Sequence, residues 1–357
     1  MLLDVAPAMP GFRISQVTDG PAGRSIQQRQ DRGGEFVVPN GHVIRGVSAL
    51  LDPDGREIVK WVKTKEGVFD PTTLVEWIKN AFVDVKPAKS IKAPKAIDTD
   101  LLTLIPVNDW HVGMFAWASE VEQNWDLKIA ERVIGNGIRD VIVRSPASAE
   151  AIVLGGGDLM HSDSQLNETT AGTPQDVDGR YPKVLQTITR MAVRTIYSAL
   201  ARHRHVTVRI LPGNHDEDTS VAIGYFLLAW FRDEPRVTVD VDPSLFFWFR
   251  FGKVLLGATH GHTVKIGKMP SIMAHRRAED WGATKFRYCH GFHLHHSAKT
   301  ATEDEGVICE THQAPIPLDA WHFGKGYLSG RSLQAITYHR DFGEIGRVRT
   351  AILDEAA

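Results

Sequence analysis

A chain of 357 residues with 43% hydrophobic and 24% charged residues has the makeup of a soluble globular protein, with one large domain or a large and a small one. Its formal net charge of −2 excludes a general basic field for nucleic acid, so any such contact must rest on local patches. Two cysteines, Cys289 and Cys309, are too few for a disulfide framework and suit a reducing cytoplasm.

The N-terminal stretch MLLDVAPAMPGF lacks the basic and apolar regions of a signal peptide. Residues 1–35 are polar and glycine-rich, with weak periodicity. EFVVPNGHVIRGVSALLDPDGREIVKWVKTK then reads as strands joined by Pro-Asn-Gly and Asp-Pro-Asp-Gly turns. DPTTLVEWIKNAF reads as a short helix, with Asp70 as N-cap and Pro71 at the first helical position. VKPAKSIKAPKAID has the composition of a linker, its lysines Lys86, Lys89, Lys92 and Lys95 spaced by Pro and Ala. This predicts a small β-rich module over 1–85, a linker over 86–98 and a large domain over 99–357. Lys60, Lys63 and Lys65 share one strand of the module, which serves a substrate or partner, or simply covers a sheet edge.

From about residue 100 the pattern changes. LLTLIPV, AIVLGGG and VTVRILPG are apolar runs that predict buried strands. Between and after them, DLKIAERVIGNGIRDVIV, PKVLQTITRMAVRTIYSALARH and TSVAIGYFLLAWFRD predict helices. Beyond residue 236 come strands again: RVTVDV, LFFWFRFG, KVLLGATH, SLQAITYHR and GRVRTAIL. No apolar run spans a bilayer, and FFWFRFGKVLLGA is interrupted by Arg250 and Lys253. Alternation of strand and helix followed by a strand-rich half predicts an α/β domain with two sheets.

The strand ends carry the chemistry. LLTLIPV runs into Asn108, Asp109, Trp110 and His111, AIVLGGG into Asp158, and VTVRILPG into Asn214, His215 and Asp216. KVLLGAT runs into His260, Gly261 and His262, and FRYCHGF into His293, Leu294, His295 and His296. Ligands of α/β sheets bind outside the carboxyl ends of the strands, so the five groups can converge on one site. Carboxylates, imidazoles and one amide without a thiolate suit Mn²⁺, Fe or Zn²⁺ better than Ca²⁺. There are too many ligands for one ion with open positions, whereas two ions with a bridging carboxylate use them all.

Asp-x-His, Gly-Asp, Gly-Asn-His-Asp, His-Gly and a final His-x-His, in that order across residues 109–295, resemble the calcineurin-like metallophosphoesterase superfamily. The resemblance implies a two-sheet αββα sandwich holding two divalent ions, most naturally Mn²⁺, with a bridging hydroxide attacking a phosphoester. It implies that Asp109, His111 and His295 bind one ion, Asp158 bridges, and Asn214, His260 and His293 bind the other. His215 would act on the substrate as a charge stabiliser or acid, and Asp216 would orient His215. The family ends in Gly-His-x-His, whereas this chain has Gly291, Phe292, His293, Leu294 and His295. Either the loop bulges around Phe292 or His290 takes part; similarly, His262 is an alternative to His260.

The polar insertion MHSDSQLNETTAGTPQDVDGRYPKV and the His-, Arg- and aromatic-rich tail from Glu310 resemble a subgroup encoded by bacteriophages and prophages, often near replication functions. That resemblance implies a DNA nuclease or phosphodiesterase, similar in plan to DNA repair nucleases, acting in the cytoplasm of a bacterial host. Arg180, Lys183, Arg276, Arg277, Lys285 and Arg287 are candidates for a phosphate path, Trp110, Trp281 and Phe292 for base stacking, and His161 and His296 for the rim of the site. Two other readings stand beside it: a phosphomonoesterase acting on a phosphoprotein or small metabolite, and a catalytically weak phage DNA-binding protein. A homo-oligomer is compatible with either. The His-x-His-x-Asp-His signature of metallo-β-lactamases is absent.

Overall fold

Leu101 through Val107 are buried without a break, so the strand containing them is covered on both faces, as a central strand must be. The computed structural model describes residues 12–20, 23–30, 38, 42–55, 57–66, 91–295, 299–300 and 306–352. It divides into two units, Met1–Asp70 and Pro71–Ala357.

The first unit holds two antiparallel hairpins. β1 (Phe12–Gly20) pairs with β2 (Gly23–Gln30), and β3 (His42–Leu51) with β4 (Glu57–Glu66). The Asp-Pro-Asp-Gly turn joins β3 to β4: Gly55 N donates to the Asp52 carbonyl at 2.9 Å, and Gly55 takes φ +80°, which a side chain would strain. Lys60 and Lys63 lie on β4 as predicted. The β1–β2 hairpin was not predicted, because its polar strands lack an apolar alternation. The Pro-Asn-Gly turn, the helix expected from Asp70 and the first part of the linker lie outside the described residues.

In the second unit, β5 (Asp98–Val107), β6 (Ser148–Gly155), β7 (His205–Ile210) and β8 (Val237–Asp240) run parallel. β14 (Ser332–His339) adds antiparallel to β5, and β15 (Gly343–Ala351) to β14. The second sheet has the order β12 (Lys299–Thr300), β13 (Ile308–Thr311), β11 (Phe286–Gly291), β10 (Val254–Thr259) and β9 (Phe247–Phe251), with β10, β11 and β13 parallel.

The two sheets face each other. Leu102, Leu104, Ile152 and Ile336 from the first pack against Leu256, Ala258, Tyr288 and Phe292 from the second. Burying each large aliphatic side chain here contributes about 2 kcal/mol. Outside the first sheet lie α2 (Leu127–Arg144) and α3 (Tyr181–Leu200). The apolar face of α2 follows helical spacing through Ala130, Ile134, Ile138, Val141 and Ile142, and Asp126 caps it by accepting from Ile129 N at 2.7 Å. Outside the second sheet, α5 (Met269–Arg276) sets Met269 and Met273 on Leu255, Cys289 and Cys309, and Trp281 of α6 (Ala278–Ala283) joins them. Both cysteines are buried and unbridged. The result is a two-sheet αββα sandwich. Four short helices were not predicted: α1 (Ala118–Val121), α5, α6 and α7 (Ala320–Gly324). α4 (Glu217–Trp230) completes the set. The linker from Ile91 onward rests on this unit, where the Ile91 carbonyl accepts from Arg236 at 2.8 Å. No helix among the described residues is long and apolar enough to cross a membrane.

Candidate metal centre

β5, β6, β7, β10 and β11 all end on one edge of the sandwich, and there the backbone leaves its ordinary conformations. Asp109, His111, Asp158, His293 and His295 are five of the seven described non-glycine residues with positive φ, at 48°, 39°, 51°, 71° and 56°. Such conformations cost on the order of 1–3 kcal/mol each and persist where surrounding structure holds them. Here they turn five side chains toward one point.

Two sets of ligand atoms result. Asp109, His111 and His295 form one, and Asp158, His260 and His293 the other, each with its ligand atoms within 4.8 Å of one another. In the first, His111 Nε2 lies 3.1 Å from His295 Nε2, which lies 3.5 Å from Asp109 Oδ1. In the second, His260 Nε2 lies 3.2 Å from both Asp158 Oδ2 and Asn214 Oδ1. Asp158 Oδ2 also lies 3.8 Å from His111 Nε2, so this carboxylate stands between the two sets. Asp109 and Asp158 are 0% and 1% exposed, and among the described residues their ion-pair partners are all imidazoles. Two buried carboxylates ringed by imidazoles, without a Lys or Arg to balance them, suit divalent cations.

Protonation follows from this crowding. Burial pushes His111 well below the ordinary imidazole range, and the neighbouring His215 adds to the effect, which leaves a lone pair free for a cation. Burial and then the charge of His260 bring His293 down to about 4. Burial alone would lower His260 as well, but Asp158 outweighs it and raises the ring to about 9. Asp158 is held well below the usual carboxylate range, because the charge of His260 overcomes its burial. The attraction between Asp158 and His260 thus favours a protonated His260, and a cation held by both residues would compete with that proton.

The Gly-Asn-His-Asp loop after β7 divides its tasks. Asn214 faces His260. The His215 backbone N donates to Asp158 Oδ1 at 2.8 Å, and its ring Nδ1 donates to the His161 carbonyl at 2.9 Å. The His215 ring stands edge-on to His111 with centroids 4.7 Å apart. Asp216 does not hold that ring, contrary to expectation. Its buried carboxylate accepts from the backbone N of Asp158 (3.0 Å), Leu159 (2.7 Å), Met160 (3.0 Å) and Gly213 (3.2 Å), and so ties the β6 loop to the β7 loop. Burial, with the charge of Asp158, raises Asp216 to about 7. Gly213 is needed for space: a Cβ there would sit 2.0 Å from Asp158 Oδ1. With Asp216 engaged, the N-terminus of α4 is capped by Asp163 instead, which accepts from Asp218 N at 3.1 Å and Thr219 N at 2.9 Å.

The other expected residues fall differently. His161 is not at the rim: it is 3% exposed, and its Nδ1 lies 3.1 Å from His111 Nδ1, where it fixes that ring's orientation. Trp110 is 2% exposed and Phe292 1%, so neither offers a face to a base. Phe292 fills the inter-sheet core, and the chain bulges past it to bring His293 N within 3.1 Å of Asp109 Oδ1. His290 points away, bonded to Tyr338 Oη at 3.1 Å and His312 Nε2 at 3.0 Å. His290, Glu310 and His312 are a further possible ligand group, but Arg347 already clamps Glu310 at 2.9 and 3.1 Å, which makes the group a polar tie between the sheets. His260 is the ring that reaches Asp158, with His262 beside it at 5.2 Å between centroids. Arg180 stands exposed at the start of α3. Arg277 pairs with Asp280, and Arg287 covers the Trp281 ring at 4.1 Å near the start of β11, the end opposite the metal centre, so these do not form a phosphate path. His296 lies outside the described residues. Sequence reasoning missed Asp319 and His322: the His322 ring stacks on His295 at 5.6 Å between centroids. The only signal was the aromatic and His-rich composition of the tail.

A scan of protein-family models finds no match for the chain, and neither does a search of curated proteins. Among solved structures it is similar to a 5′-nucleotidase precursor from Thermus thermophilus, with 16% identity and a TM-score of 0.31 over 71% of this chain and 54% of that one. It is also similar to Chaetomium thermophilum Vps29, with 10% identity and a TM-score of 0.29 over 72% and 100%. The same Vps29 in complex with a RaPID-derived cyclic peptide gives 9%, 0.28, 72% and 99%. The chain spans about half the length of the 5′-nucleotidase precursor.

Proposed function

We propose that this protein is a two-metal phosphoesterase that hydrolyses phosphodiester bonds, with nucleic acid as its substrate in the manner of a phage-type nuclease. The observation that carries the reading is the pair of ligand sets meeting at Asp158, with His215 beside them and bonded through Nδ1 to a carbonyl. Asp109, His111, Asp158 and His295 would hold one ion, and Asp158, Asn214, His260 and His293 the other. Divalent ions bound there, Mn²⁺ foremost, would lower the pKa of water and neutralise phosphoryl charge. The protein's own residues do the rest. Since His215 Nδ1 donates to a carbonyl, Nε2 is the nitrogen left for the substrate. With a proton on Nε2 it donates to a phosphoryl oxygen, and as the oxygen of a water bonds to phosphorus and the ester P–O bond breaks it gives that proton to the departing oxygen. His161 steadies both His111 and His215. The preference for DNA rests on the phage-like insertion and tail.

The test is hydrolysis of bis(p-nitrophenyl) phosphate, p-nitrophenyl phosphate and labelled single- and double-stranded DNA with Mn²⁺, alongside His215→Ala. Diester and DNA cleavage that falls about 10²–10⁴-fold in His215→Ala, with metal content retained, is the expected result. Turnover of the monoester alone would favour a phosphomonoesterase. Loss of metal in His215→Ala would overturn its role.

A further inference from the structure

Beyond the metal centre the surface turns aromatic. His322 stacks on His295, and Trp321 and Tyr327 each stand edge-on to His322, at 4.9 and 5.3 Å between centroids. Trp321 and Tyr327 stack on each other at 6.1 Å. A continuous run of rings therefore leads outward from one of the ligands proposed for the first ion. Trp321 is 60% exposed and Tyr327 45%, so ring faces remain open to solvent. The platform is held in place. Asp319 Oδ1 accepts from both the backbone N and the ring Nδ1 of His322, at 2.7 and 2.8 Å, and thereby caps α7. Lys325 Nζ stands 5.9 Å from the Trp321 ring.

Behind Tyr327 and Phe323 opens a cleft of about 820 Å³ between α1 and the segment from Ile316 to Arg331. Trp125 and Leu328 line it, and among the described residues its only charged lining is Glu122 and Arg331. Its charges balance, so the cleft does not attract a string of phosphates. It suits a flat, neutral, heteroaromatic group. A substrate that places a phosphoester at the metal centre and a planar ring beyond His322, whose own ring stands 5.6 Å from His295, is a nucleotide, and its base can present a face only when it is unpaired.

We propose that Trp321 and Tyr327, with the cleft behind them, hold the nucleobase next to the scissile phosphate, and that the protein therefore takes single-stranded nucleic acid in preference to duplex. This rests on the phosphodiesterase reading above and adds the substrate's strand state and the residues that read it. Trp321 and Tyr327 are positioning residues and take no part in proton transfer.

Two measurements test it. The first is anisotropy titration of the metal-free full chain with labelled single-stranded oligothymidylate and with a duplex of equal length. The wild type should bind the single strand more tightly, Trp321→Ala should weaken that binding about tenfold, and Trp321→Phe should keep it within about twofold, as stacking on an aromatic face requires. The second compares kcat/KM with Mn²⁺ for thymidine 5′-(p-nitrophenyl) phosphate and methyl p-nitrophenyl phosphate, which share a leaving group. Their ratio should fall about tenfold in Trp321→Ala and recover in Trp321→Phe. Equal binding of duplex and single strand, no binding by the wild type, or a ratio unmoved by Trp321→Ala would overturn the inference. If the wild type hydrolyses neither ester, the phosphodiesterase reading fails, while the titration still decides whether the rings bind unpaired bases.

Discussion

Asp216→Asn separates the role found for this residue from the one its motif suggests. The carboxylate accepts four backbone N–H groups, from Asp158, Leu159, Met160 and Gly213, at 2.7–3.2 Å in a fully buried position. Asparagine keeps one oxygen, which can serve two of those donors, and turns an NH₂ group toward the rest. Two buried N–H groups without a partner cost about 4 kcal/mol together. For a unit of this size that lowers Tm by roughly 7 °C. Thermal unfolding in EDTA at pH 8, where the wild-type carboxyl is ionised, reads the effect without any contribution from metal. An unchanged Tm together with slow hydrolysis would refute the reasoning and return Asp216 to the role of orienting His215.

Asp158→Asn should reduce bound Mn²⁺ at both positions, measured by elemental analysis after gel filtration, because its carboxylate stands between both ligand sets; loss of a single equivalent would show that it serves one ion only. In Gly213→Ala the new Cβ would meet Asp158 Oδ1 at 2.0 Å, so the loops must part; metal affinity should drop at least about tenfold, as for disturbed outer-shell partners, and unchanged affinity would show that the loop gives way freely. His203 should make the protein acid-labile. Burial, with Arg202 adding to it, holds its ring at about 4. The unfolded chain takes a proton near pH 6.5 that the folded chain refuses, so stability falls between about pH 6.5 and about pH 4, by about 3 kcal/mol. Urea midpoints for wild type and His203→Gln across that range should show a shallower loss in the variant, and parallel curves would exclude His203 as the cause.

Much of the centre was legible because most of the residues proposed as ligands follow apolar runs that could only be buried strands. Asp109, Asp158 and Asn214 follow β5, β6 and β7, and a parallel sheet delivers all its strand ends to one edge. What was not legible depends on distant hydrogen bonds. Nothing near Asp163 in sequence marks it as the cap of α4, whose first turn it meets 55 and 56 residues away. Asp216 sits where an N-cap or a partner for His215 belongs, and only the fold shows it spanning two loops. Trp110 and Phe292 looked like stacking residues because they flank ligands, yet a strand end inside a sandwich alternates between solvent and core, and both face the core. The Phe292 insertion reads as a break in the motif and proves to be a plug between the sheets. α5 and α6 escaped notice because eight and six residues are too few for a helical period to stand out.

His111 and His295 are 184 residues apart in the chain, yet their Nε2 atoms lie 3.1 Å apart. In polymer terms, a cation shared by these two side chains is a removable cross-link that closes a very long loop. Its hold on the unfolded chain is comparable to that of a disulfide over such a span, about 5 kcal/mol if the ion stays bound. The first sheet supplies one end of that link and the loop after β11 of the second sheet supplies the other. The loaded protein should therefore melt at a higher temperature than the stripped protein, and in both the two sheets should unfold together, because they share one core.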